Sequence, residues 1–392
     1  MSSPSSVIPE IKKTEPSFIE LRHQIHRHPE LGFEESVTSK LVAEKLAQWG
    51  YEVSTGLGGT GVIGQLRRGT SDKALGIRAD MDALPIHEGT GLPYASEVPG
   101  RMHACGHDGH TTILLSAAQY LAVHGEFNGT LNLIFQPAEE GLGGAPRMIK
   151  DGLFERFPCD MVFGLHNGPT LPAGSFVIQP GVLAASSDTV HITLRGQGTH
   201  GGMPQHGRDP IVAIGAIINA LQSIVSRNVA PNEAAVVSIG RLRAGEVANV
   251  VPDSAEMSLT VRTFNPQVQT LIEARLRELV EFQARSFGVE AEIDWRPISR
   301  VLSNADEPAA LARRVAEDMV GPNAIIPLPT GAMGADDFSW MLEQVPGCYV
   351  ALGNGVEGHN GRMLHNPGYD FNDEIISIGA SYWARLTQAY LR

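Results

Sequence analysis

Five side chains able to hold a metal or move a proton, His103, Cys105, His107, Asp108 and His110, fall within eight residues of this sequence. Thiolate and imidazole are the donors a divalent transition metal takes. Paired acids follow in Gln136-Pro137-Ala138-Glu139-Glu140, then His166 in Leu165-His166-Asn167 and His365 in Leu364-His365-Asn366-Pro367. Cys105 and His107, two apart, would diverge on a helix but can converge from a loop. With Glu140, His166 and His365 they make five candidate ligands. That is too many for one closed tetrahedral zinc and suits two ions sharing a water. Two such ions lower the pKa of bound water from about 16 toward roughly 7 and polarise a carbonyl, which is the chemistry of metal-dependent hydrolysis. Glu139 is then the natural general base, taking the proton of that water to a leaving nitrogen. Asp82 can orient a ligand histidine from behind. Taken singly, these residues have plainer readings: Cys105 as a small buried hydrophobe, Glu139-Glu140 as solvated charge at a helix start. Their convergence is what favours one site.

The elements that must deliver these groups alternate between strand and helix. Phe18, Leu21 and Ile25 recur at helical spacing up to Pro29, and Val37, Leu41, Val42, Leu46 and Trp49 mark a second helix ending near Gly50. Short apolar runs at Leu75–Ile77, Leu131–Phe135, Met161–Leu165 and Cys348–Leu352 predict strands, with a helix over Thr111–Val123. The expected fold is α/β with a largely parallel sheet. Asp80 and Asp82, Glu139 and Glu140, and His166 each follow one of these strands, and ligands of open α/β sheets bind beyond the carboxyl ends of strands. His107 and Asp108 are placed just before a helix, whose N-terminal dipole favours anionic oxygens. Between residues 185 and 298 the pattern reads β-α-β-β-α-β: strands at Val190–Leu194, Ala235–Leu242, Ala255–Arg262 and Val289–Trp295, helices at Asp209–Ser226 and Gln267–Phe287. That order is the ferredoxin-like unit. It predicts an inserted domain at 185–298 and a discontinuous catalytic domain at 1–184 and 299–392.

Length and composition agree. A chain of 392 residues suggests two domains, and 42% hydrophobic residues is ordinary for a globular protein. The net charge of -13 argues against nucleic acid as a partner. Three cysteines, Cys105, Cys159 and Cys348, give no disulfide framework and suit a reducing cytoplasm. No secretory leader is visible in Met1–Lys13, and the apolar stretch Ile211–Val225, broken by Asn219, Gln222 and Ser223, reads as too short and polar for a membrane span.

Six ordered motifs carry a resemblance over nearly the whole chain: Arg22-His23 through His26 with Pro29-Glu30-Leu31; Arg78-Ala79-Asp80-Met81-Asp82-Ala83-Leu84-Pro85; Met102-His103-Ala104-Cys105-Gly106-His107-Asp108; Gln136-Pro137-Ala138-Glu139-Glu140; Gly198-Thr199-His200-Gly201-Gly202-Met203-Pro204; and Tyr369-Asp370-Phe371-Asn372-Asp373. The chain resembles the dinuclear-metal aminoacylase and carboxypeptidase family, in the branch of hippurate hydrolases, N-acyl-amino-acid amidohydrolases and plant auxin-conjugate hydrolases. The resemblance implies Cys105, His107, Glu140, His166 and His365 as ligands of two divalent metals, Glu139 as base and Asp82 as the carboxylate behind the ligands. Zinc is the default ion, with manganese, cobalt or nickel as alternatives. Other branches carry a ligand histidine where Asp80 stands here, so Asp80 is left without a role. The resemblance also implies a ferredoxin-like lid that forms a homodimer contact, His200 as an oxyanion donor from its own or a partner subunit, and Asn249 and Arg262 as the grip on a substrate carboxylate. Gln205 departs from the family, where histidine is frequent, and His206 is given no role. Gly331-Ala332-Met333-Gly334-Ala335-Asp336-Asp337 resembles a segment lining the site whose acid is often Glu.

The expected activity is hydrolysis of N-acyl or N-aroyl amino acids, with no nucleic-acid or membrane partner. The rivals are a dipeptidase or carboxypeptidase on the same machinery, a cysteine hydrolase using Cys105 and His107, and a catalytically silent binding protein, against which the presence of Glu139 argues.

Overall fold

The computed structural model describes residues 7–328 and 331–392. They divide into two compact units: Ala184–Leu302 with Gly331–Ala335, and the remainder. The boundaries differ from the expected 185–298. The short segment Gly331–Ala335, expected in the catalytic unit, belongs to the inserted one. The backbone explains this: Ala185 N donates to Ala332 O at 3.0 Å and to Gly334 O at 3.2 Å, and Arg262 donates to Met333 O at 3.3 Å.

The first unit is built on a seven-stranded sheet. Its four central strands, Gly129–Gln136, Ala74–Asp80, Met161–Pro169 and Gly347–Gly355, are parallel neighbours in that order. Antiparallel strands Glu52–Leu57 and Gly61–Arg68 extend one edge, and Phe176–Val177 the other. The sheet is therefore mixed, parallel only at its centre. Side-chain alternation splits each central strand between two apolar layers. Leu131, Leu133, Phe135, Met161, Phe163 and Leu165 enter one core, with helices Pro9–Arg27, His107–His124, Asp306–Val320 and Ile376–Tyr390. Ile134 and Val162 enter the other, with Met148, Phe338 and Met341. Helix Pro9–Arg27 ends at His28, where the following proline disfavours helical backbone.

The inserted unit contains one four-stranded antiparallel sheet in the order Ala235–Ala244, Ser254–Thr263, Ser186–Arg195, Glu290–Ser299. Numbered by sequence within the unit this is 2-3-1-4, the ferredoxin-like arrangement. Helices Pro210–Asn228 and Pro266–Ser286 bury Ile214, Ile217, Leu221, Ile272, Leu276 and Val280 with Val190, Ile192 and Leu259 of the strands. The first helix corrects the sequence expectation. It runs 19 residues with a mean hydropathy of 1.4, long and apolar enough to cross a membrane. Asn219 and Gln222 do not break it, because their amides bond back to the Gly215 and Ile218 carbonyls at 2.9 and 3.2 Å.

Candidate metal centre

Three parallel strands set the acidic and imidazole groups at the carboxyl-terminal end of the central sheet. Asp80 is the last residue of Ala74–Asp80, with Asp82 two further on, and Glu139 and Glu140 lie three and four beyond the strand ending at Gln136. His166 is inside its strand rather than after it, since Met161–Pro169 continues past Leu165, paired there with Ala351. Likewise His107 and Asp108 form the first turn of helix His107–His124 rather than preceding it. Gly106, at φ +93, turns the chain into that helix, and a Cβ there would sit 2.4 Å from Asn167 Oδ1. Only glycine combines that backbone with that contact.

The candidate ligands converge. Ligand atoms of Cys105, His107 and His166 all lie within 4.8 Å of one another, and so do those of Cys105, Glu140 and His365, with Cys105 common to both sets. His107, Glu139 and Glu140 form a third such set. Cys105 Sγ is 3.4 Å from His166 Nε2, and His365 Nε2 is 3.2 Å from Glu140 Oε1. His365 adopts a left-handed φ of 65, held by its N–H donating to Ala104 O at 2.8 Å.

The outer nitrogens of these rings are already engaged. His107 Nδ1 donates to Asp82 O at 2.9 Å, with Asp82 Oδ1 at 3.2 Å, and His166 Nδ1 donates to Asn167 O at 2.8 Å. Each Nε2 is thus left as the lone-pair side facing the centre. Asp82 also accepts from Glu140 N at 2.9 Å, so one carboxylate steadies two candidate ligands.

These residues fit a pair of cations. His107 Nε2 is buried with no hydrogen-bond partner. Burial opposes a charge on that ring, yet Asp80, Asp82 and Glu140 raise it to about 10; a metal ion would answer the same field. Burial pushes the Cys105 thiol up, and Glu140, Glu139 and Asp80 push it further. A thiolate at this position calls for adjacent cations, and a metal-free cysteine nucleophile, which needs a lowered pKa, is disfavoured. Burial and His110 hold His166 well below the usual imidazole range, the neutral form a metal takes. Burial, then Asp336, Glu140, Asp337 and Asp82, raise Glu139 well above the usual carboxylate range.

Several functional neighbours were not legible in the sequence. Asp80 has both oxygens committed, Oδ1 to His110 Nδ1 and Oδ2 to Arg78, each at 2.6 Å. It is thereby a buried counter-charge to Arg78 and His110. Arg78, itself fully buried, also bonds Gln136 at 2.8 Å and Asp336 at 3.0 Å, while the Asp337 amide donates to Glu139 Oε1 at 3.4 Å. His110 Nε2 accepts from the Asn167 amide at 3.0 Å. The motif Arg78-Ala79-Asp80 was visible, but nothing local marks Arg78 as inward-facing.

A second buried network carries the loop from behind. Arg22 donates to Asp108 at 3.0 Å, Asp370 at 3.2 Å and Asp373 at 2.5 Å, and His26 Nδ1 bonds Asp108 at 2.8 Å. Burial alone would lower His26, but Asp108 and a hydrogen bond donated to Glu88 outweigh it and raise it from 6.5 to about 9. A raised folded-state pKa stabilises fully below the unfolded value and loses that contribution as pH climbs through the folded one. Unfolding free energy should therefore fall by about 3 kcal/mol from this group between pH 6.5 and 9. Urea unfolding at both pH values checks it: His26→Gln should flatten the slope, and an unchanged slope would count against the pairing.

The residues assigned to the lid lie in the inserted unit. His200 is exposed on the two-residue strand Thr199–His200, opposite Val250, and its Nδ1 accepts from Gly202 N at 2.9 Å. Asn249 is also exposed and holds Gly201 N through its carbonyl at 2.8 Å; with His200 and Val250–Asp253 it lines a cavity of about 520 Å³. Arg262 is half-buried on Ser254–Thr263, and burial lowers its pKa.

The profile of peptidase family M20/M25/M40 matches residues 76–389. A hippurate hydrolase of Campylobacter jejuni is 46% identical over 387 residues, covering 99% of this chain and 100% of that protein. An N-acetylcysteine deacetylase of Bacillus subtilis is 38% identical over 371 residues, covering 94% and 95%. Among solved structures, a dinuclear metal binding peptidase of the M20 family from Bacillus subtilis superposes with a TM-score of 0.80 at 34% identity, covering 97% of this chain and 99% of that one.

Proposed function

We infer, from a chain that belongs to peptidase family M20/M25/M40, a metal-dependent amidohydrolase that cleaves N-acyl amino acids to a carboxylic acid and a free amino acid. Within that activity the reading favours N-aroyl or N-acyl amino acids of the hippurate kind, on the strength of the hippurate hydrolase relative. The observation that carries it is the pair of donor sets sharing Cys105, with Glu139 beside them.

Two divalent ions, held by Cys105, His107, Glu140, His166 and His365, would supply Lewis acidity for the scissile carbonyl and acidify water. Glu139 takes the proton of the attacking water and carries it to the leaving nitrogen. Asp82 keeps the His107 ring in its Nδ1–H tautomer and restrains Glu140. With Nδ1 of His200 accepting from Gly202, its Nε2 bears the hydrogen, as an oxyanion donor requires. Arg262 spends one donor on Met333 O and has others for a substrate carboxylate, which it grips together with the exposed Asn249 amide.

The thiolate and imidazole donors support zinc, with manganese, cobalt or nickel as alternatives. The inserted unit is read as a lid and a homodimer contact: strand Ala235–Ala244 ends its sheet, and Ile211, Val212 and Leu242 are exposed apolar residues. A cytoplasmic setting is supported by Cys105, Cys159 and Cys348 all being free.

Initial rates on hippurate and other N-acyl amino acids, set beside simple dipeptides, test the substrate class. A dipeptide brings an ammonium where the acyl chain should lie, so it should be slower by roughly 100-fold. Equal or faster dipeptide cleavage would replace this reading with a peptidase.

A further inference from the structure

The turn that delivers Glu139 is strained and tied down by a carboxylate far away in sequence. Ala138, fully buried, has φ +53, a conformation that side-chain-bearing residues rarely adopt. Its amide donates to Glu35 Oε1 at 2.8 Å, while Glu35 Oε2 accepts from the Thr60 hydroxyl at 2.6 Å. Glu35 is fully buried, in contrast to its exposed neighbour Glu34. It is free to turn inward because Glu30 serves the start of helix Ser36–Gln48, accepting from Val37 N at 2.9 Å and Thr38 N at 2.8 Å. Gly32 completes the seat: a Cβ there would lie 3.0 Å from both Ala138 Cα and Cβ. The turn is held from its other side by Gly144 N donating to Ala138 O at 3.0 Å.

We propose that Glu35 is a positioning residue for the general base: by fixing the left-handed Ala138 peptide it aims the Glu139 carboxylate at the reacting water. The proposal rests on the assignment of Glu139 as base. With no cation paired to it among the described residues, burial makes Glu35 costly as a purely structural group. Glu140, the neighbouring ligand, has its own anchor in the Asp82 bond to its amide, so slackening at Ala138 reaches Glu139 first.

Glu35→Asp draws the same carboxylate back by one methylene. It should lower kcat about 100-fold, since a catalytic group displaced by about 1 Å costs that much, with KM within about twofold. Elemental analysis should still find two metals per chain. Glu35→Gln keeps an acceptor for Ala138 N and should stay within about threefold of wild type. Ala138→Gly, which makes φ +53 unstrained, should restore about tenfold of the activity lost in Glu35→Asp. Thr60→Val, which frees the other oxygen, reads the same anchor if Glu35→Asp fails to fold, and should lower kcat about tenfold. Unchanged kcat in Glu35→Asp or in Thr60→Val, or a fall explained wholly by lost metal, overturns the proposal, as does a Glu35→Gln as impaired as the Asp variant. Glu139→Gln run in parallel separates the two claims: if it is inactive while Glu35→Asp is normal, only the positioning role is lost; if it is active, the base assignment fails and this inference with it.

Discussion

Glu139→Gln keeps its fold and its metals and turns over N-acyl amino acids about 1,000-fold more slowly. The amide has the shape of the carboxylate but cannot accept and return a proton, and a positioned general base supplies about two to four orders of magnitude. None of the metal-donor atoms is removed, so elemental analysis should match the wild type. Stability should hold or rise, because burial and the carboxylates of Asp336, Glu140 and Asp337 already oppose a charge at Glu139. A variant with wild-type kcat would remove Glu139 from the mechanism.

Dialysis against a chelator should take activity to background and lower the unfolding midpoint, with both restored by divalent metal. Ions that bind only the folded chain stabilise it by about 2.7 kcal/mol at a free concentration 100 times Kd. The loss should be large because the site brings acids together: Glu140 lies near Cys105, and Glu139, Asp336 and Asp337 form a further close set. Without cations, burial with Glu140, Glu139 and Asp80 favours the protonated Cys105 thiol, so metal uptake releases a proton and tightens as pH rises. Activity that survives complete metal removal would revive the cysteine-nucleophile alternative.

What could be read in advance follows physical lines. The central strands were visible because strands covered on both faces read as nearly continuous apolar runs, as at Met161–Leu165 and, interrupted by Asn132, at Leu131–Phe135. Edge strand Glu52–Leu57 was not, since half of it is exposed, only Leu57 is buried and its sequence lacks such a run. The candidate ligands stood out where they are dense, Cys105 and His107 lying within the eight residues His103–His110. Counter-charges did not. Arg78 and Asp336 are 258 residues apart, and Arg22 and Asp373 are 351 apart; a charge in sequence looks the same whether it will be solvated or buried against a partner. Glu35 is the sharpest instance, one of two adjacent acids of which only the structure distinguishes the interior one. Asp80 was left undecided for the same reason: its committed partners, Arg78 and His110, decide its role.

The discontinuous first unit constrains how the protein is made. Its donors run from Cys105 to His365, and helix Ile376–Tyr390 closes the same core as helix His107–His124. A nascent chain cannot complete this proposed donor set until His365 has left the ribosome. The inserted unit, continuous through Ala184–Leu302 apart from its late Gly331–Ala335 segment, has the means to fold while the first still waits. Metallation of the proposed site thereby waits for His365, and a polypeptide terminated before it would be without one of its proposed metal donors.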